Sequence, residues 1–446
     1  MLTLGAKTSI PVSRRGAIQI GASAILGMSL DRLLAQAPTG SAKSVIFLWL
    51  WGGPSQLDTF DPKPNAPSEF RSPFANIPTK IPGVHFTELF PMLAQRSDHF
   101  SLLRSMHTQT NDHGVAGTIG LTGSIAGAVG LDGKPRPGQA RPTLGSTVAK
   151  VRRMQGGLPS FLVVGGKLHQ GKKPIIGENS GFLGASCDPF RLEFDEEKGT
   201  RVNALDLGQG LTPERLDDRQ RLAGALDDIE RKLQKGSSPW TEQMQQAYAL
   251  LLRPESRKMF DLGQETPAMR DRYGRTRFGQ SCLLARRLVE KKVPFVQVNW
   301  SDHVEAEEDA GDGGWDHHYR NFQIMVDRHG PWLDRSISTL LDDLRDRGLL
   351  ESTLVVAVGE FGRTPKINEK AGRDHWEHCY CALVAGGGIK PGRVIGTSDA
   401  RAERPAERPL TPADLGATIH QALGITSEQS QSFGLATGGE VIGELF

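Results

Sequence analysis

The sequence predicts an α/β fold whose strands are buried on both faces of a sheet. Three observations predict it. Short, largely apolar runs rich in β-branched residues recur at 44–50, 158–164, 294–300, 353–358 and 380–385. Runs without polar alternation read as strands covered on both sides. Amphipathic stretches at 279–292 and 333–347 read as helices feeding two of those strands. Carboxylates, imidazoles and arginines collect just past strand ends, the edge where open α/β sheets bind ligands.

Taken in order, residues 1–37 stand apart from the fold. Ser13-Arg14-Arg15-Gly16-Ala17-Ile18 resembles a twin-arginine export motif, an apolar Gly/Ala-rich stretch runs from 17 to 30, and Ala35-Gln36-Ala37 offers a small-residue cleavage site. The apolar stretch is short for a membrane span. A cleaved leader is the expectation and an uncleaved anchor the alternative. Twin-arginine export carries folded proteins and implies a periplasmic or cell-envelope location.

The strand at 44–50 runs into Gly52-Gly53-Pro54, a tight turn, with Asp58 just beyond. A further strand at 99–104 leads to Asn111-Asp112-His113 and then a run of small residues. Asn111 and Asp112 are natural helix caps, so His113 falls in a first turn that favours anions. Alone, His113 reads equally well as cover for the helix start. The stretch from about 190 to 280 has a different, charged texture and reads as a helical insertion, with helices at 211–235, 239–252 and 254–262.

After the strand at 294–300 comes an acidic, Gly-rich loop holding Asp302, Glu305, Glu307, Glu308, Asp309 and Asp312. These acids read as loop solvation. Asp316 and His318 follow, two apart, within reach of one ion in an extended segment. The strand at 353–358 ends at Gly359 and presents Glu360 and Arg363; Arg373, Asp374 and His375 precede the last strand. Strand-end clusters of this kind, at successive loops of one α/β chain, point to a metal site.

The composition, 38% hydrophobic and 23% charged, is globular, and a net charge of +2 gives no bulk argument for nucleic acid. Four cysteines do not make a disulfide framework. No P-loop, no G-x-G-x-x-G after a strand and no G-x-S-x-G elbow occurs, which removes nucleotide-cradle and α/β-hydrolase readings.

GGPSQLDTFDPKP, RSMHTQTNDHG with GLTG, FGQSCLLARRLVEKKVPFVQVNW, GGWDHHYRNF, GEFGRTP and GRDHW with LVAGGGIKPGRVIG together resemble the secreted family called domain of unknown function 1501. That family is related to the alkaline-phosphatase/sulfatase-like superfamily. The resemblance implies a three-layer α/β/α sandwich around a central, mostly parallel sheet, here a single domain over 38–446. It implies metal ligands at Asp58, Asp316, His318, Glu360 and His375. Phe361 stands where the superfamily has a ligand His. His113 stands at the nucleophile position, and no sulfatase Cys-x-Pro-x-Arg motif is present. His113 and Arg363 are the expected catalytic residues, and Asn111, His317 and Arg373 the expected substrate-binding ones.

Two functions follow as expectations. One is an exported hydrolase of phosphate or sulfate esters that uses a divalent metal, zinc first, with calcium or magnesium as alternatives. Its substrate is a small-molecule or glycan ester, with no nucleic acid and no stable membrane span after leader cleavage. The other is a non-catalytic envelope protein on the same scaffold that recognises a glycan or protein partner.

Overall fold

A computed structural model of the chain describes residues 40–446, except 153–157, 196–198, 202–257, 306–312 and 436–437. The leader and the expected helices at 211–235 and 239–252 lie outside the described residues; of 254–262, the described part begins at 258.

The central strands are β1 (Ser44–Trp49), β2 (Ser101–Met106), β3 (Phe161–Val164), β4 (Phe190–Asp195), β5 (Gly199–Arg201), β6 (Phe295–Asn299), β7 (Thr353–Val358), β8 (Tyr380–Ala385) and β9 (Val394–Ile395). They form one nine-stranded sheet in the order β9-β2-β8-β7-β1-β6-β3-β4-β5. β7, β1, β6, β3 and β4 run parallel, β8 runs against β7 and β2, and β5 runs against β4.

β1 is wholly buried. Its Ile46 and Leu48 point into one core, and Val45, Phe47 and Trp49 into the other. Helices α1 (His113–Thr122), α2 (Leu144–Val151), α3 (Pro267–Tyr273), α4 (Arg277–Glu290), α5 (Gly330–Asp346) and α6 (Pro412–Ala422) cover it. Cys282, Leu283 and Leu288 of α4 and Leu333, Ile337 and Leu340 of α5 close the first core, while α2 and α6 pack on the second. This is a three-layer α/β/α sandwich with a mostly parallel sheet. Residues 190–195 and 199–201, expected to open a helical insertion, are instead sheet strands. Phe190, Leu192 and Phe194 alternate with Arg191, Glu193 and Asp195, a two-residue period that fits a strand.

The strand directions place the chemistry. β1, β2, β6 and β7 all end at one edge, so Asp58, His113, Asp316 and Glu360 emerge there. β8 runs the other way, so Arg373 and His375, which precede it, reach the same edge. Gaps such as the 315 residues between Asp58 and Arg373 close because the sheet aligns them.

One buried group away from that edge gives a stability test. His420 of α6 is 5% exposed and its Nε2 is buried without a hydrogen bond. Burial pushes its imidazole down from 6.5 to about 4. Between those values the unfolded chain takes a proton that the fold refuses, so this contribution is present above pH 6.5 and is lost as pH falls towards 4. The loss is about 3 kcal/mol. In denaturant unfolding at pH 7 and pH 4, the wild type should lose that much relative to His420→Leu. A constant gap would mean that His420 titrates normally.

Candidate metal centre

The centre begins at the turn after β1. Gly52 and Gly53 adopt φ of +107° and +77°. At Gly52 a side chain would also strike the backbone nitrogen of Trp315. The bare turn lets Gly52 N donate to Glu360 Oε1 at 3.0 Å, while the two glycine carbonyls accept from Arg363.

Asp112 caps α1 by accepting from Val115 N at 3.0 Å, which fixes His113 as the first helical residue. The small residues that follow let the helix approach the tryptophans; a Cβ on Gly117 would lie 2.7 Å from Trp51. His113 is fully buried among the rings of Trp51, Phe361 and His375. Its Nδ1 faces Glu360 Oε1 at 2.6 Å. Its Nε2 lies 3.3 Å from Asp316 Oδ1 yet makes no hydrogen bond.

Asp316 Oδ1 is the meeting point. His375 Nε2 lies 3.0 Å from it, His318 Nε2 3.1 Å and Arg363 Nη2 2.7 Å, and the two imidazole Nε2 atoms are 2.9 Å apart. Ligand atoms of His113, Asp316 and His375 all lie within 4.8 Å of one another. The outer nitrogens are all engaged. His375 Nδ1 sits 2.7 Å from the Asn111 carbonyl, which only accepts, so that nitrogen carries the proton. His318 Nδ1 faces Asp374 at 2.8 Å. Each neutral ring therefore turns a lone pair towards an oxygen that also has only lone pairs. Such a cluster of acceptors needs protons or a cation.

The charges agree. Burial would raise the Asp316 carboxyl, but Arg363 and His113 outweigh it and hold it well below the usual range. Burial opposes a charge on His113, but Asp316 and Glu360 beside it push it up to about 9. Burial takes His375 down to about 4. Hydrogen bonding to Asp316 raises His318.

The spacing fits a metal. Zinc bonds of about 2.0–2.1 Å would separate tetrahedral ligand atoms by roughly 3.3 Å. The observed 3.0–3.3 Å to Asp316 and 2.9 Å between His318 and His375 lie close to that value, with His113, Asp316 and His375 as the mutually close set and His318 at its outer side. Three imidazoles and one carboxylate suit a borderline ion such as Zn²⁺ better than Ca²⁺ or Mg²⁺, which prefer oxygen. The centre reaches solvent through His318, whose side chain is 35% exposed.

Of the residues expected as ligands, the structure brings Asp316, His318 and His375 together. Glu360 lies behind His113 and orients its ring. Asp58 does not reach the centre: Arg373 spans its carboxylate at 2.7 and 3.1 Å, with both side chains fully buried. Burial would raise Asp58, but Arg373 holds it below its ordinary value. Arg363, expected to be catalytic, and Arg373, expected to bind substrate, are both fully buried. Arg363 donates to Gly52, Gly53 and Arg373 carbonyls besides meeting Asp316.

His317 is turned away from the centre. Its Nδ1 donates to Asn321 Oδ1 at 2.9 Å and its Nε2 faces His329 Nδ1 at 2.7 Å. Asn111 contributes its backbone carbonyl to His375. In the sequence Asp374 belongs to a strand-end cluster without a role of its own, and Asn321 is not expected as a site residue. Asp374 had a signal in its place beside His375, whereas Asn321, which bridges His317 and Asp58, had none.

Among the described residues, no helix is long and apolar enough to cross a membrane. No curated protein matches the chain. Among solved structures it is similar to Ps i-CgsB at 14% identity, covering 89% of this chain and 74% of that one, with a TM-score of 0.41. It is similar to the lipoteichoic acid synthase LtaP from Listeria monocytogenes at 9% identity, covering 91% and 75%, with a TM-score of 0.41. It is also similar to a variant of the alkaline phosphatase PafA at 11% identity, covering 92% and 99%, with a TM-score of 0.41. At such scores the likeness is distant. The profile of the family described as "Protein of unknown function (DUF1501)" matches residues 42–446, the whole of the sheet and of the centre, and the chain belongs to that family.

Proposed function

We propose that the protein is an exported, divalent-metal-dependent hydrolase of phosphate or sulfate esters, with Asp316, His113, His318 and His375 as ligands. One observation carries the metal: three imidazole Nε2 atoms face a single carboxylate oxygen while their outer nitrogens are held by Glu360, Asp374 and the Asn111 carbonyl. The ester class rests on the resemblance of the motifs. A bound Zn²⁺ would supply a Lewis acid and, by taking a water as a fifth ligand beside these four donors, would bring the pKa of that water to about 7.

The chain's own residues do the rest. Glu360 and Asp374 fix the rings of His113 and His318, a support whose loss usually costs about 10–100-fold in metal affinity. Arg363 offsets the charge of Asp316 at 2.7 Å and, from its inward position, keeps that carboxylate in place. His318, at the solvent edge, marks the side from which a substrate approaches.

Zinc-loaded protein should hydrolyse 4-nitrophenyl phosphate or 4-nitrophenyl sulfate, lose the activity to a chelator and regain it with zinc. No turnover on either ester with the metal in place would move the assignment to a binding protein for a glycan or protein partner. Export has its own test. Replacing Arg14-Arg15 by Lys-Lys should leave precursor in the cytoplasm; normal delivery to the envelope would rule out the twin-arginine route.

A further inference from the structure

Beside the metal centre lies a second, filled site. Arg373 is fully buried. Its Nε meets Asp58 Oδ2 at 2.7 Å and its Nη2 meets Asp58 Oδ1 at 3.1 Å. Nη2 also donates to the Phe70 carbonyl at 3.1 Å, and Nη1 donates to the carbonyls of Thr364, at 3.1 Å, and Pro365. Two carboxylate oxygens and three backbone carbonyls, from the stretch 50–75 and from Thr364-Pro365, thus surround one cation.

That donor set differs in kind from the imidazole-rich centre next to it. One carboxylate with several carbonyls is what a hard cation such as Ca²⁺ takes. Asp58 has a second partner besides the guanidinium, since Asn321 Nδ2 donates to its Oδ2 at 3.0 Å. It adjoins the centre directly: Arg373 N donates to the His317 carbonyl at 3.0 Å, and Arg363, which meets Asp316, donates to the Arg373 carbonyl at 3.3 Å.

We propose that Arg373 is a tethered cation filling a calcium-type oxygen cage, so that the chain carries one exchangeable ion and not two. Asp58, the strand-end carboxylate best placed to recruit a second ion, is permanently neutralised from within. The loops at 70, 364–365 and 373 that frame the centre are therefore held together without an ion that a chelator could remove. The count of one rests on the metal centre proposed above; the cage does not.

The test uses calcium alone as the probe, with zinc measured separately. Wild-type protein should bind no calcium at Asp58, and crystals soaked in calcium should show no ion there. Arg373→Ala should go from none to one calcium per chain, with a thermal midpoint that rises with calcium while that of the wild type stays fixed. Asp58→Asn combined with Arg373→Ala should lose this response, because the cage then lacks its carboxylate. An ion ligated by Asp58 in the wild type would overturn the proposal. So would an Arg373→Ala protein, folded or not, that calcium fails to stabilise. Wild-type protein that retains no zinc would instead sink the metal centre and leave the cage result standing.

Discussion

Asp316→Asn should strip the protein of its metal. The substitution keeps the size of the side chain and removes its charge. Three imidazoles and the Arg363 guanidinium then face a neutral amide, and a dication has no anion in the pocket to meet. Affinity should fall by more than the roughly 10–100-fold that losing an outer-shell hydrogen bond costs. Hydrolysis should fall with occupancy. Arg363 keeps its carbonyl partners but loses the carboxylate at 2.7 Å. Breaking a buried pair in this way costs about 3–5 kcal/mol, so the metal-free variant should also unfold more readily. Metal per chain, measured on gel-filtered folded protein, is the readout. A variant that binds zinc as the wild type does would remove Asp316 from the centre.

His113→Ala separates two roles for the same ring. As a ligand, His113 supplies one of four donor atoms, and its loss should lower zinc affinity as well as turnover. As a nucleophile it would leave zinc binding intact and remove turnover alone. The geometry favours the first: Nδ1 is held by Glu360 and Nε2 lies within 3.3 Å of Asp316 Oδ1. Alanine leaves a ring-sized space between Trp51, Phe361 and His375, lined by the Glu360 carboxylate. Added imidazole should enter it and restore part of both zinc binding and activity. Turnover lost at wild-type zinc affinity, with a phosphorylated histidine in the parent protein, would establish the nucleophile instead.

The inner strands were legible because burial on both faces writes itself as an uninterrupted apolar run. β7 and β8 begin and end where their runs do. β4 and β5 were hidden by the charged texture around them, which hides a two-residue period spanning only Phe190 to Phe194. The grouping of Asp316, His318 and His375 was legible for a similar reason: two residues apart on an extended segment share a side, and strand ends share an edge. Asp58 was not. Nothing local to Asp58 shows that an arginine 315 residues away will claim its carboxylate. The same holds for Glu360, which stands at a strand end as a ligand would but lies behind His113. Strand order decides which side chains meet first, and a single sequence does not print it.

In the proposed centre His113, His318, His375 and Asp316 surround one metal ion. Zinc K-edge X-ray absorption on the zinc-loaded protein tests it most directly. One zinc per chain is expected, with three imidazole rings and one carboxylate oxygen at about 2.0–2.2 Å. Protein that retains no zinc, or a spectrum with an oxygen shell and no imidazole scattering, would contradict it.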